Sequence, residues 1–211
     1  MLIRTWRPTL AIAGILLLIG GPLHPPVDTT KSFSESTALM LAHPNWPIAH
    51  ALMLASYVLI LLAFVGAAHR SDIPNSVRRI LRFAQLGTAL SVVEMAFHLA
   101  AMVDLSSLMA GGPTPVLTTH LSLAVVAYPM LGLSVAALAF QGARTRSFGR
   151  RAIGWLGVLG GLAHGLSAPI VVLTHDQRFS PLFTGAAVMA LWLCAVAIWP
   201  IDRTRELVVA A

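Results

Sequence analysis

Long apolar runs alternate with short polar breaks along the whole chain. The runs fall at 6–23, 47–68, 80–103, 116–140, 152–173 and 182–199. Each approaches or exceeds the roughly 20 apolar residues that a helix needs to cross a bilayer. The breaks are rich in turn formers, such as Gly20-Gly21-Pro22-Leu23-His24-Pro25-Pro26 and Gly111-Gly112-Pro113-Thr114-Pro115, and Pro200 stops the last run. This pattern predicts an all-α integral membrane protein with six transmembrane helices, a single polytopic domain over 1–211. The first run follows Arg4 and Arg7 as a signal peptide would, but no Ala-x-Ala-like site follows it, so it reads as a retained helix. The outer loop 24–46 has room for a short interfacial helix from Ser34 to His43, and Pro129 predicts a kink in the fourth span.

Charge adds an orientation. The chain carries a formal +6, with apolar residues at 57% and charged ones at only 10%. Its arginines cluster at Arg4 and Arg7, at Arg70, Arg78, Arg79 and Arg82, at Arg144, Arg146, Arg150 and Arg151, and at Arg203 and Arg205. Only Lys31 and Arg178 fall in the other set of connections. The positive-inside rule therefore puts both termini in the cytoplasm of a multi-pass protein of the cell membrane. It also accounts for the basic charge without nucleic acid. Cys194 is the only cysteine, which excludes an intramolecular disulfide, a cysteine zinc site and a Cys-x-x-Cys-His haem attachment.

The polar residues inside the spans carry the candidate chemistry. In the stretch Gly87 to His98, a carboxylate and an imidazole, Glu94 and His98, lie four residues apart and share a helix face with Ser91 and Gly87. A charge at mid-bilayer depth costs about 2.5–3.5 kcal/mol on insertion scales, so such a group faces a partner, a cavity or a ligand. The expected topology sorts the eight histidines. At 1.5 Å per residue, His50, His98 and His120 lie roughly 5–8 Å below the outer boundary, and His164 and Glu94 roughly 14 Å down. Helices 2–5 thus form a bundle around an outward-side histidine cluster. His24, His43, His69 and His175 read as interfacial imidazoles, of which the first two could cover a site. Glu94 is expected to accept a hydrogen bond from an imidazole, with His164 at similar depth the better candidate. The small-residue face Gly154, Gly157, Gly161, His164 and Ala168 suits close helix packing, or a flat macrocycle beside a ligating histidine.

Two chemistries compete for this cluster. One is a b-type haem protein in electron transfer or redox near the extracytoplasmic face. Its haem b would be held by His50 with His120 or by His98 with His164. In helix number and histidines per helix this resembles the general plan of the six-helix cytochrome b561 architecture. That plan has histidine pairs toward both faces, whereas all four lie toward one here, which favours a single haem. The other is a non-haem transition-metal ion (Cu, Zn or Fe) on His50, His98, His120, His164 and Glu94, in a metal-dependent enzyme or in metal handling. Neither His-Glu-x-x-His nor Glu-x-x-His occurs, and no nucleophile elbow, phosphate loop or intramembrane lysine is present. A third reading is a non-catalytic accessory subunit using its Gly and Ala faces for packing. The partners expected are the lipid bilayer, a redox partner or quinone, and further subunits of an oligomer or larger membrane complex.

Overall fold

The computed structural model describes residues 2–199, so the expected cytoplasmic tail with Arg203 and Arg205 lies outside the described residues. Those residues form helices and no strand. In chain order these are α1 (Leu2–Leu23), α2 (Phe33–Leu41), α3 (Trp46–Ala68), α4 (Asn75–Ala100), α5 (Leu105–Met109), α6 (Pro115–Thr145), α7 (Arg151–Thr174) and α8 (Gly185–Ile198). Short 3₁₀ turns, Ala101–Asp104 and Gln177–Thr184, precede α5 and α8. Six segments are long and apolar enough to cross a membrane: Thr5–Leu23, Trp46–Ala68, Asn75–Met109, Pro115–Thr145, Arg151–Thr174 and Gln177–Ile198. Large apolar side chains such as Phe83, Leu86, Leu159 and Ile198 point outward. This is the surface a bilayer solvates and water does not.

Local chemistry explains where the helices differ from the apolar runs. α2 begins at Phe33 because Ser32 and Glu35 form a capping box: the Glu35 amide donates to the Ser32 hydroxyl, and the Ser32 amide donates to the Glu35 carboxylate. α4 starts at Asn75, before the apolar run, since Pro74 precedes it and its first turns are polar. There Arg78 donates to the Arg70 and Ile73 carbonyls and ties down the turn before the helix. α6 starts with Pro115 in the first turn, and its Leu117 amide donates to Asp104 Oδ2 at 2.8 Å. The expected kink site, Pro129, sits inside an uninterrupted α6, which ends only at Arg146 in the left-handed region.

Packing is tightest where glycine removes the side chain. At the α6–α7 crossing, a Cβ on Gly132 would collide with the Gly161 carbonyl, and one on Gly161 with the Gly132 carbonyl. Gly87 of α4 likewise sits on the backbone of Met130 in α6, where a Cβ would lie 2.7 Å from the Met130 carbonyl carbon. α4 therefore packs on α3 and α6, while α7 packs on α6 and α8. The main core contains Phe64, Phe148 and Trp192, with Leu10 and Ala13 of α1 built into it. Ser56 of α3 donates to the Ala13 carbonyl at 2.7 Å, fastening α1 to the bundle. The connections at 24–45, 101–114 and 175–184 share one end of the bundle, and those at 69–74 and 146–150 share the other.

Candidate metal centre

α3, α4 and α6 converge at the end of the bundle closed by the 24–45 segment. There they bring His50, His98, His120 and Glu94 together, and the chain after α1 adds His24. The rings form a continuous cluster. His98 and His120 stack with centroids 3.8 Å apart, His50 and His98 lie 4.3 Å apart, and His24 and His50 4.9 Å apart. Trp46 forms a wall, its ring 3.9 Å from that of His50, and its indole N–H donates to the Leu99 carbonyl. His50 and Glu94 are fully buried, and His120 is nearly so.

Hydrogen bonds to backbone set the tautomers of two rings. His50 Nδ1–H donates to the Trp46 carbonyl at 2.7 Å, and His24 Nδ1–H donates to the Pro25 carbonyl at 2.8 Å. Each ring is left with a lone pair on Nε2, the state in which an imidazole binds a metal. Burial also holds the His24 imidazole below its ordinary pKa, so it stays neutral at pH 7.

The remaining ligand atoms meet only one another. Glu94 Oε1 lies 2.7 Å from His120 Nδ1 and 3.6 Å from His98 Nδ1. The first is a close polar contact off the hydrogen-bond line and the second is too long for a hydrogen bond, so both Glu94 oxygens, His98 Nδ1 and His120 Nδ1 are buried without a well-formed hydrogen bond, as is His50 Nε2. A buried polar atom left unpaired costs about 1–3 kcal/mol, and more when charged. Five such atoms at one place call for a common cation. Among the described residues two sets have metal-ligand spacing, His24 with His50 and His98, and Glu94 with His98 and His120; within each, the donor atoms lie within 4.8 Å of one another. Ligand bonds of about 2.0–2.1 Å let one ion span donors about 4 Å apart, so small side-chain rotations close either set.

Three expectations change. The imidazole against Glu94 is His120, not His164, because α4 packs chiefly against α6. His24 joins the cluster rather than only covering it, because it follows directly on α1 and its ring lies against that of His50. His164 takes no part in either ligand set. Its Nε2 lies 3.2 Å from the Tyr57 hydroxyl and its ring 4.6 Å from that of Tyr128. The sequence reading missed Tyr128, although Tyr57 and Tyr128 are the only two tyrosines of the chain and both are buried in apolar spans. Of the other histidines, His43 Nδ1 accepts from the Asn45 amide, His175 packs on Phe33, and His69 caps α3 at the opposite end.

The glycine face of α7 is occupied by neighbouring helices. Gly154 meets Ala139 and Ala143, and Gly157 meets Ala139 and Trp192, so no macrocycle lies along it. Open space lies instead beside the cluster, a cavity of about 640 Å³ walled by His24, Trp46, His98, His120, Tyr57, Tyr128, His164 and apolar side chains. The described residues form an all-helical, membrane-type protein with buried His and Glu groups that could hold a metal ion. No protein-family model, no curated protein and no solved structure matches it.

Proposed function

We propose that this chain is a multi-pass membrane protein with a buried non-haem transition-metal centre. His50, His98, His120 and Glu94 are its core ligands, and His24 closes it from the loop side. The observation that carries this reading is the convergence of unpartnered donors, His50 Nε2, His98 Nδ1, His120 Nδ1 and both Glu94 oxygens, in one buried cluster. Imidazole and carboxylate donors suit zinc, copper or iron, and a dication would neutralise the carboxylate where the nearest charged-capable groups are imidazoles. His98 belongs to both sets, so one ion can draw on either, or two ions can share its ring.

Elemental analysis of the purified chain tests the reading. At least one equivalent of a transition metal is expected, falling to background in Glu94→Ala combined with His98→Ala. A wild-type chain that stays metal-free after exposure to Zn²⁺, Cu²⁺ and Fe²⁺ would overturn it. The apolar cavity supports a second reading, a b-type haem with its axial imidazole on the cavity wall. A red preparation with a Soret band would favour it. The bare ion ranks first because His50, His98, His120 and Glu94 fall in sets with single-ion spacing, whereas His164, one of the expected axial residues, has its Nε2 against the Tyr57 hydroxyl.

Arginine placement supports an orientation with the 69–74 and 146–150 connections in the cytoplasm and the histidine cluster toward the outer face of the cell membrane. The centre would then serve redox, metal-dependent catalysis or metal handling at that face.

A further inference from the structure

The cavity beside the metal ligands has its own polar head, and nothing in the metal reading uses it. Tyr57 and His164 bond to each other at 3.2 Å, and His164 Nδ1 is buried without a partner. Counting hydrogens shows what this pair can do. A neutral imidazole and a phenol together carry two polar hydrogens, and their mutual bond uses one. If Tyr57 O–H donates to Nε2, the second hydrogen is on His164 Nδ1. If His164 Nε2–H donates to Tyr57, the second is the phenol's own. Either way the pair has one donor to spare, and His164 and Tyr57 both border the cavity. The Tyr128 ring lies against His164 on the same wall.

The rest of the lining limits the ligand. Among the described residues no Lys, Arg, Asp or Glu borders the cavity; most of its wall is Leu, Met, Val, Ala, Pro and Phe, with Thr37, Gln177, Ser180 and Thr184 as uncharged polar members. A volume of about 640 Å³ matches an organic molecule of ordinary ligand size rather than a water or an ion. We infer that the cavity binds an uncharged lipophilic molecule with a carbonyl oxygen, of the quinone class, whose oxygen accepts a hydrogen bond from the Tyr57–His164 pair. The head sits in the same cavity that His98 and His120 border, so the bound molecule lies alongside the metal ligands. This inference does not depend on metal being present.

The test is calorimetric titration of the purified full chain in detergent micelles with decylubiquinone. One saturable site per chain is expected. Tyr57→Phe with His164→Leu should weaken it about tenfold or more, as loss of one well-placed hydrogen bond does. Decylbenzene, which has no carbonyl, should bind both proteins alike. Ala168→Phe, which fills the cavity from its α7 wall without changing a metal ligand, should abolish quinone binding while metal content and helicity stay at wild-type levels. It also decides the matter should the double variant fail to fold. His50→Ala should lose or weaken metal and keep the quinone site, so failure of the metal reading and of this one are told apart. The inference is overturned if no saturable binding occurs, if the double variant binds decylubiquinone as tightly as wild type, or if Ala168→Phe leaves binding intact.

Discussion

His98 is the residue through which the two ligand sets meet, and its neighbours differ in how much they matter. His98→Ala should therefore remove metal from both sets, whereas His24→Ala removes a donor from one only and should weaken retention without abolishing it. Metal-to-protein ratios after dialysis against a chelator check this, with His164→Leu as the control expected to keep its metal. Glu94, His98, His50 and His120 were legible in the sequence because axial depth is a matter of counting: 1.5 Å per residue sets the level of each side chain. Rotation about the helix axis is not readable in that way. His164 has the same depth as Glu94 but faces Tyr57, since close glycine contacts set α7 against α6 and α8. His24 was hidden for another reason. It follows the last turn of α1 in a proline-rich loop, where no periodicity reports direction.

At the scale of single elements, the two contacts that matter most are a crossing and a cap. Gly132 and Gly161 let α6 and α7 meet backbone to backbone, so Gly132→Leu should separate the helices or prevent folding. Over-packing of a dense interior costs about 1–3 kcal/mol or more, and thermal unfolding of the detergent-solubilised protein should report a loss at the upper end. The glycine pattern was visible in the sequence; its partner was not, because a small-residue face accepts a helix or a ligand equally well. α2 depends on its capping box, and this gives a pH dependence. Hydrogen bonds from Ser32 hold the Glu35 carboxyl below its ordinary value of 4.5. Its folded pKa is depressed, so the contribution is complete above that ordinary value and is lost as pH falls through the folded one. Protection factors of the Phe33–Leu41 amides, exchange rates taken relative to the intrinsic rate at each pH, should fall on acidification, and Ser32→Ala should remove most of that response.

For the whole molecule, hydrophobic length was enough to find the six membrane-length segments, and only their ends moved. Polar turns that a bilayer would not hold, such as the start of α4, were invisible to a search for apolar runs. The orientation across the membrane is an expectation from arginine placement. On a Cys194→Ala background, a cysteine introduced at Ser71 should be protected from an impermeant thiol reagent in intact cells, and one at Thr30 should react. The reverse pattern would invert the topology and place the histidine cluster on the cytoplasmic side.

The central claim is that imidazoles and a carboxylate at this cluster hold a metal. X-ray absorption at the edge of the bound metal tests it most directly. The account predicts a first shell of nitrogen and oxygen at about 2.0–2.1 Å, with the outer-shell pattern of several imidazoles and no sulfur. The imidazole pattern should weaken in His120→Ala. A metal-free protein, a sulfur shell, or a spectrum unchanged by removal of His98 and His120 would contradict it.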